Sequence, residues 1–104
     1  MLSDGVLPLL ESGVINNMNK ELHQGHVITS FGLGTQKLYD YINDNPNVRF
    51  LSSSTTNNAA IIANIKKMTA INSCIEIDLT GQVVSDSIGS RIFSGFGGQI
   101  DFLR

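Results

Sequence analysis

The most regular stretch of the chain covers residues 70–83 and reads AINSCIEIDLTGQV. Ile71, Ile75, Ile77 and Leu79 share one face with Ser73, and Asn72, Cys74, Glu76 and Asp78 fill the positions between them. A period of two is typical of a half-buried β-strand. Thr80-Gly81 is typical of a turn, and an extended run follows it, so residues 69–88 are predicted to form an antiparallel β-hairpin.

Upstream of this hairpin, helical and extended patterns alternate. The predicted helices cover residues 4–15 with Asp4 as the cap, residues 35–42, and residues 59–65 behind the polar run Ser52–Asn58. The predicted strands cover residues 26–31 and 48–51. Such alternation followed by a hairpin predicts an α/β fold with a mixed sheet. Cys74 is then expected to be a small buried residue in its strand.

Composition and charge exclude several classes of function. The chain has 104 residues, 41% of them hydrophobic, and a formal net charge of −2, which is typical of a small globular domain or a piece of one. Its basic residues are scattered apart from Lys66-Lys67, which argues against nucleic-acid binding. The apolar runs are far shorter than the roughly 20 residues that span a bilayer, and no cationic leader precedes them. We therefore expect a cytoplasmic protein without a membrane partner.

Metal and acid–base chemistry find little support in the sequence. His23 and His26 are three residues apart, but Gln24-Gly25 interrupts any helix between them and no third ligand is nearby, so no metal site is expected. Glu76 and Asp78 share one strand face and could form an acid pair, although solvated carboxylates are the favoured interpretation. A single cysteine forms no internal disulfide, and Cys74 has no identifiable base that would make it a nucleophile.

A glycine-rich segment, Gly95-Phe96-Gly97-Gly98, leaves two interpretations open. It is not a dinucleotide-binding fingerprint, because Ile100 stands where the third glycine is required. Glycines could bring bare backbone N–H groups close to an oxyanion or a phosphate. Alternatively, the loop could need glycine only for a tight turn. Residues 97–102 are predicted to be a turn that opens into a helix.

Several blocks of the chain together carry a family resemblance. They are MLSDGV at residues 1–6, ESGV at 11–14, VITSF at 27–31, LYD at 38–40, the stretch 70–83 quoted above, and GFGGQIDF at 95–102. They resemble the acetyl-CoA hydrolase/transferase family, most closely its 4-hydroxybutyrate CoA-transferase branch. The resemblance implies the α/β fold called NagB/RpiA/CoA-transferase-like. It also implies that residues 1–104 are one partial domain, a fragment of the family's C-terminal domain.

The resemblance implies an enzyme that moves coenzyme A between an acyl-CoA and a carboxylate such as acetate. The acyl-CoA would be acetyl-CoA, butyryl-CoA or 4-hydroxybutyryl-CoA. The reaction would pass through a glutamyl-CoA thioester, with the CoA thioester as substrate and no bound cofactor. In the family the catalytic glutamate lies in a His-Thr-Glu-Met segment, directly before the position of Met1. The chain alone is therefore expected to lack the nucleophile and to be inactive.

The same resemblance assigns roles to the glycine-rich segment and names partners. Gly97 and Gly98 would form part of the oxyanion hole through their backbone N–H groups, and Gly95, Phe96 and Gln99 would line the CoA side. The partners would be an acyl-CoA, a small carboxylate and the missing N-terminal domain, with a homo-oligomer among the expected assemblies. The alternative is a non-catalytic module that binds CoA or pairs with a separately encoded half.

Overall fold

The computed structural model describes residues 1–103, which form two compact units, Met1–Lys66 and a second unit that begins at Lys67. The first contains β1 (Leu2–Ser3), a 3-10 turn (Asp4–Val6), α1 (Leu7–Glu11), β2 (Val27–Thr29), β3 (Gly32–Leu33), α2 (Gln36–Ile42), β4 (Val48–Phe50), α3 (Ser53–Thr56) and α4 (Ala59–Ala63). The second contains β5 (Glu76–Ile77), β6 (Val83–Val84), β7 (Ser87–Ile88), β8 (Arg91–Ile92) and a 3-10 helix (Gln99–Phe102). Helices and strands are thus mixed, as the alternating pattern predicts.

The predicted mixed sheet is wrong for the described residues, whose strands form four separate two-stranded sheets. In the first unit β1 pairs with β3 and β2 with β4, both in parallel. In the second unit β5 pairs with β6 and β7 with β8, both antiparallel. Each of these strands is two or three residues long and pairs with a single partner.

The strand expected at residues 26–31 is divided between two partners. The hydroxyl of Thr29 donates to the carbonyl oxygen of Phe31 at 2.8 Å, which bends the backbone after β2. That same carbonyl accepts a hydrogen bond from the N–H of Leu2 at 3.0 Å. The bend therefore ends the pairing of β2 with β4 and starts the pairing of β3 with β1.

The first helix is shorter than the predicted 4–15 and begins differently. It starts as a 3-10 turn at Asp4 and ends at Glu11, because Gly13 adopts a φ of +74° that reverses the chain. The N–H of Ile15 then donates to the carbonyl of Leu9 at 2.9 Å. Asp4 was expected to cap this helix, and this expectation is wrong. Its carboxylate binds the beginning of α2 instead.

The carboxylate of Asp4 joins β1 to α2. Both of its oxygens accept from the N–H of Thr35, at 2.9 and 3.1 Å, and Oδ1 also accepts from the Thr35 hydroxyl at 3.1 Å. Gly34 lets this contact form, since a Cβ there would lie 2.6 Å from Asp4 Oδ1 and 2.8 Å from Leu38 Cδ2. Leu7 and Leu38 are fully buried and Leu2 is buried, and these three leucines form the small core of the first unit.

We expect Asp4→Ala to lower the free energy of unfolding by about 1 kcal/mol, because it removes a charge-assisted acceptor at a helix start that is partly exposed. Urea unfolding followed by circular dichroism measures this change. Asp4→Asn keeps one oxygen acceptor, so its loss of unfolding free energy should be about half of that of Asp4→Ala. Equal stability of the alanine variant and the parent would contradict this role of Asp4.

Local signals predict the remaining elements of the first unit well. The turn at Asn43–Pro46 follows α2, and β4 covers most of the predicted strand 48–51. The predicted helix at 59–65 is present as α4, and the Asn58 side chain accepts from the N–H groups of Ala60 and Ile61 at 3.0 and 3.3 Å. The short helix α3 inside the polar run was not predicted.

The hairpin in the second unit is real but shorter than residues 69–88. β5 and β6 pair as Glu76 with Val84 and Ile77 with Val83, whereas Ser87 and Ile88 belong to a second hairpin with β8. The alternating apolar face is not buried within the described residues: Ile71 is 92% exposed and Leu79 fully exposed. The burial expected for this strand, and for Cys74, is therefore wrong. Alternation indicates which side chains share a face, but a second layer must cover that face before it is buried.

Candidate functional site

The glycine-rich segment follows directly from the second hairpin. At the base of that hairpin, the carbonyl oxygen of Asp86 accepts from the N–H groups of Phe93 and Ser94 at 2.8 and 3.0 Å. The Ser94 hydroxyl donates to the carbonyl of Gly95 at 3.1 Å. These three bonds fix the backbone at the point where the glycine-rich segment begins.

The far end of the segment enters the last helix. Gly98 is the N-cap residue of the 3-10 helix, with φ −84° and ψ 11°, and its carbonyl accepts from the N–H of Asp101 at 3.2 Å. The predicted turn opening into a helix is confirmed, although the helix is a short 3-10 helix. Gln99 is the first residue of that helix and is partly buried. Phe96 is 91% exposed, with its ring facing solvent.

Within residues 1–103, neither a positive φ nor close packing requires glycine at positions 95 and 97. The glycines with positive φ are Gly13, Gly25, Gly81 and Gly89, and none of them lies between residues 95 and 98. A Cβ built on Gly95 or Gly97 would have no described heavy atom within 4 Å. Glycine at these two positions is therefore explained neither by a positive φ nor by close packing within the described residues.

The backbone N–H groups from Gly95 to Gly98 donate to no other group among the described residues. Four successive donors in an exposed loop are free to bind water or an incoming acceptor. Gly95 and Gly97 have no side chain of their own that could shield their N–H groups. The segment can therefore present unshielded donors to an anionic oxygen.

The two carboxylates that sequence analysis considered as an acid pair have separate roles in the backbone. Asp78 Oδ1 accepts from the Thr80 hydroxyl at 2.6 Å, the Thr80 N–H at 2.8 Å and the Gln82 N–H at 3.0 Å, which holds the turn of the first hairpin. Glu76 Oε1 accepts from the N–H of Gly89 at 3.0 Å. Both residues are exposed, in agreement with the favoured interpretation of solvated carboxylates.

The hydrogen bonds to Asp78 make its turn sensitive to acid. The Thr80 hydroxyl and then the Gln82 N–H hold the pKa of Asp78 below its usual range. A pKa lowered by folding means that the charged carboxylate stabilises the turn. This contribution is complete above the unfolded pKa and is lost as the pH falls through the folded pKa.

We therefore expect the amide signals of Thr80 and Gln82 to shift together with a midpoint below the ordinary aspartate pKa of about 3.9. A nuclear magnetic resonance titration from about pH 6 to about pH 2 covers this range. In Asp78→Asn the side-chain oxygen remains but the charge is gone, so this titration step should disappear. A midpoint at or above the ordinary aspartate value would contradict the expected stabilisation.

His23 and His26 are the two histidines that were considered as metal ligands. His23 is exposed, and His26 Nδ1 lies 2.8 Å from the carbonyl oxygen of Gln24. Among residues 1–103 no three His, Cys, Asp or Glu side chains are grouped so that they could hold a metal ion. None of the helices in this part of the chain has the length and apolarity needed to cross a membrane.

The contact between Glu76 and Gly89 is not evident from the sequence. The two residues lie 13 positions apart, on different hairpins, and no local pattern relates a strand glutamate to a distant turn. The sequence also does not predict the positive φ of Gly89, because a Gly-Ser pair is compatible with several turn types. Only the tertiary arrangement shows that these residues connect the two hairpins.

Comparison with known proteins places this geometry in a family. Residues 34–104, which include both hairpins and the glycine-rich segment, match the family model of the acetyl-CoA hydrolase/transferase C-terminal domain. The chain belongs to the acetyl-CoA hydrolase/transferase family. This confirms the family resemblance found in the sequence.

Relatives within the acetyl-CoA hydrolase/transferase family match the chain over its full length. It is 50% identical over 104 residues to the 4-hydroxybutyrate coenzyme A transferase of Clostridium kluyveri, covering all of this chain and 24% of the relative. It is 53% identical to a succinyl-CoA:acetate/propanoyl-CoA:succinate CoA transferase of Fasciola hepatica, again over all of this chain and 22% of the relative. The chain thus spans about a quarter of the length of these relatives.

Solved structures of family members have the same backbone arrangement. The crystal structure of RipA from Yersinia pestis matches with a TM-score of 0.88 at 34% identity, covering 98% of this chain and 23% of RipA. The 4-hydroxybutyrate CoA-transferase of Porphyromonas gingivalis matches with a TM-score of 0.75 at 40% identity, covering 80% of this chain and 21% of that enzyme.

Proposed function

We propose that this chain works as part of a transferase that moves coenzyme A between an acyl-CoA and a free carboxylate. The donor would be acetyl-CoA, butyryl-CoA or 4-hydroxybutyryl-CoA, and the acceptor a small carboxylate such as acetate. The observation that carries this proposal is the glycine-rich segment. It lies inside the family match and carries four successive N–H groups without an acceptor among the described residues.

In the proposed reaction a glutamate carboxylate attacks the thioester carbonyl, the C–S bond breaks and CoA leaves as a thiolate. The thiolate then attacks the glutamyl carbonyl of the mixed anhydride, which releases the first carboxylate and leaves a glutamyl-CoA thioester. The acceptor carboxylate then runs both steps in reverse. It attacks the glutamyl-CoA carbonyl and expels the CoA thiolate, which attacks the acceptor's own carbonyl to give the new acyl-CoA and free the glutamate. The thioester bond is regenerated rather than lost to water.

Each attack places negative charge on a carbonyl oxygen, which needs fixed hydrogen-bond donors. We assign this role to the backbone N–H groups of Gly97 and Gly98. Glycine at position 97 supports the assignment, because no side chain stands between the N–H and the approaching oxygen. Gly98 also supports the assignment, because the helix that it caps holds its carbonyl group in place.

The CoA side of the site would be lined by Gly95, Phe96 and Gln99. The exposed Phe96 ring offers an apolar surface to the pantetheine arm of CoA, while the open space beside Gly95 lets that arm approach the backbone. Gln99 offers amide donors and acceptors at the start of the last helix.

The nucleophilic glutamate is proposed to lie outside this chain. Its three glutamates each have another partner: Glu11 pairs with Lys37 at 3.1 Å, Glu21 pairs with Lys66 at 3.0 Å, and Glu76 accepts from Gly89. We therefore expect the isolated 104-residue chain to catalyse no transfer.

A chimaera tests the proposed function. The 104-residue segment of the C. kluyveri enzyme that aligns with this chain is replaced by this chain, and transfer of CoA from butyryl-CoA to acetate is measured. We expect transfer within about tenfold of the unmodified enzyme, since half of the exchanged residues are identical. A chimaera with the circular dichroism and oligomeric state of the parent but no transfer would contradict the proposal.

The isolated chain separates this function from its alternative, a non-catalytic CoA-binding module. After incubation with acetyl-CoA, peptide mass mapping should show no CoA adduct on Glu11, Glu21 or Glu76, and after borohydride treatment no side-chain alcohol at these positions. An adduct on one of them would place the nucleophile inside the chain. A measurable calorimetric CoA affinity of the chain, together with an inactive chimaera, would favour the binding module.

A further inference from the structure

One side chain links the two hairpins of the second unit. Glu76 lies on β5, and its Oε1 accepts from the N–H of Gly89 at 3.0 Å. Gly89 is the first residue of the two-residue loop between β7 and β8, with a φ of +53°. The contact therefore attaches the tip of the second hairpin to the first hairpin.

The second hairpin is held at its other end by the bonds from Phe93 and Ser94 to the carbonyl of Asp86. Between these two attachments the hairpin has only two residue pairs, Ser87 with Ile92 and Ile88 with Arg91. A two-stranded hairpin of this size is marginal by itself in water. Its orientation therefore depends on the attachment at the tip as well as on the bonds at the base.

The glycine-rich segment begins three residues after Ile92, the last residue of this hairpin. A rotation of the hairpin about its base would displace the backbone that leads into Gly95. Catalysis by oriented donors is sensitive to such displacements, since an error of about 1 Å can cost about 10²-fold in rate. A group that fixes the hairpin thus also fixes the position of the donors.

We propose that Glu76 is a positioning residue for the glycine-rich segment during CoA transfer, acting through Gly89 and the β7–β8 hairpin. This inference rests on the proposed function of the chain. Glu76 touches neither substrate nor reacting atoms in this role. Its carboxylate acts as a fixed acceptor that restrains the hairpin from which the oxyanion donors extend.

The contact is tested first in the 104-residue chain by amide hydrogen exchange. Glu76→Ala is expected to accelerate exchange at Gly89 by about tenfold, because one modest hydrogen bond is lost, and to shift the amide signals of Gly95, Gly97 and Gly98. Glu76→Gln keeps a side-chain oxygen acceptor and should restore both. Unchanged signals from Gly95 to Gly98 in the alanine variant would overturn the proposal.

Kinetics in the chimaera then separate positioning from simple structural support. Glu76→Ala is expected to lower kcat about 10- to 100-fold with KM for butyryl-CoA within about twofold, because the donors act on the transition state rather than on bound substrate. Glu76→Gln should recover kcat to within about threefold. Glu11→Ala, which removes an exposed carboxylate from the first unit, is the matched control and should leave kcat unchanged.

The outcomes distinguish this inference from the proposed function. A parent chimaera with native circular dichroism and oligomeric state but without transfer overturns the proposed function and the positioning role of Glu76 together. An active chimaera in which Glu76→Ala has parental kcat overturns the role of Glu76 alone. A rise in KM with unchanged kcat also overturns it, because that result would indicate a role in substrate binding.

Discussion

Gly98→Pro in a transfer-competent chimaera should lower kcat by about 10²- to 10³-fold, the usual effect of losing one oxyanion donor. Proline removes the N–H at residue 98 and leaves its carbonyl in place. The φ of −84° at Gly98 is close to the range that a proline ring adopts, so the change deletes a donor without demanding a new backbone conformation. The preceding residue is a glycine, which tolerates the restriction imposed by a following proline.

Gly5→Ala, at a glycine outside the glycine-rich segment, is the matched control for this substitution. Its Cβ would meet no described atom within 4 Å, and its N–H is retained, so kcat should stay within about threefold of the parent. Steady-state kinetics with butyryl-CoA and acetate measure both variants. A Gly98→Pro variant with near-parental kcat would show that the Gly98 N–H is not a donor to the oxyanion.

Leu38→Ala should lower the free energy of unfolding of the chain by about 3 kcal/mol. Leu38 is fully buried on α2, where its Cδ2 lies close to Gly32 and Gly34. Truncation leaves a cavity in a core that contains only two other buried leucines among the described residues, Leu2 and Leu7. A domain of this size has a total stability of about 5 to 10 kcal/mol, so this loss is a large share of it.

Leu9→Ala is the matched control, because the same atoms are removed from a leucine that is 42% exposed on α1. It should cost less than about 1 kcal/mol, since little buried surface is lost. Urea unfolding monitored by far-UV circular dichroism compares the two variants. Equal destabilisation by both substitutions would contradict the assignment of Leu38 to the core.

Elements fixed by short-range signals were predictable from the sequence. Helix α2, the Asn58 cap of α4, the turn at Thr80-Gly81 and the entry into the last helix all depend on residues within a few positions of one another. In each case the side chain or backbone conformation that decides the structure belongs to the segment itself. The family and its glycine-rich segment were also evident, because ordered sequence blocks identify them without a structure.

Contacts between distant residues were not predictable. Asp4 was expected to cap its own helix, but its carboxylate binds Thr35, 31 positions away. The strand expected at 26–31 has an unbroken extended pattern, and its division between two partners depends on the bond from Thr29 to Phe31. A carboxylate or a strand edge satisfies its hydrogen bonds with whatever partner the fold brings near, which local sequence does not specify.

By itself, the sequence determined the family, helices α2 and α4, the turn at Thr80-Gly81 and the position of the glycine-rich segment. Only the tertiary structure decided which strands pair, which apolar faces stay exposed, and that Glu76 holds the hairpin leading to Gly95. The physical reason is the range of the interactions. Conformational preference and capping act within a few residues, whereas burial and long-range hydrogen bonds exist only once separate segments meet.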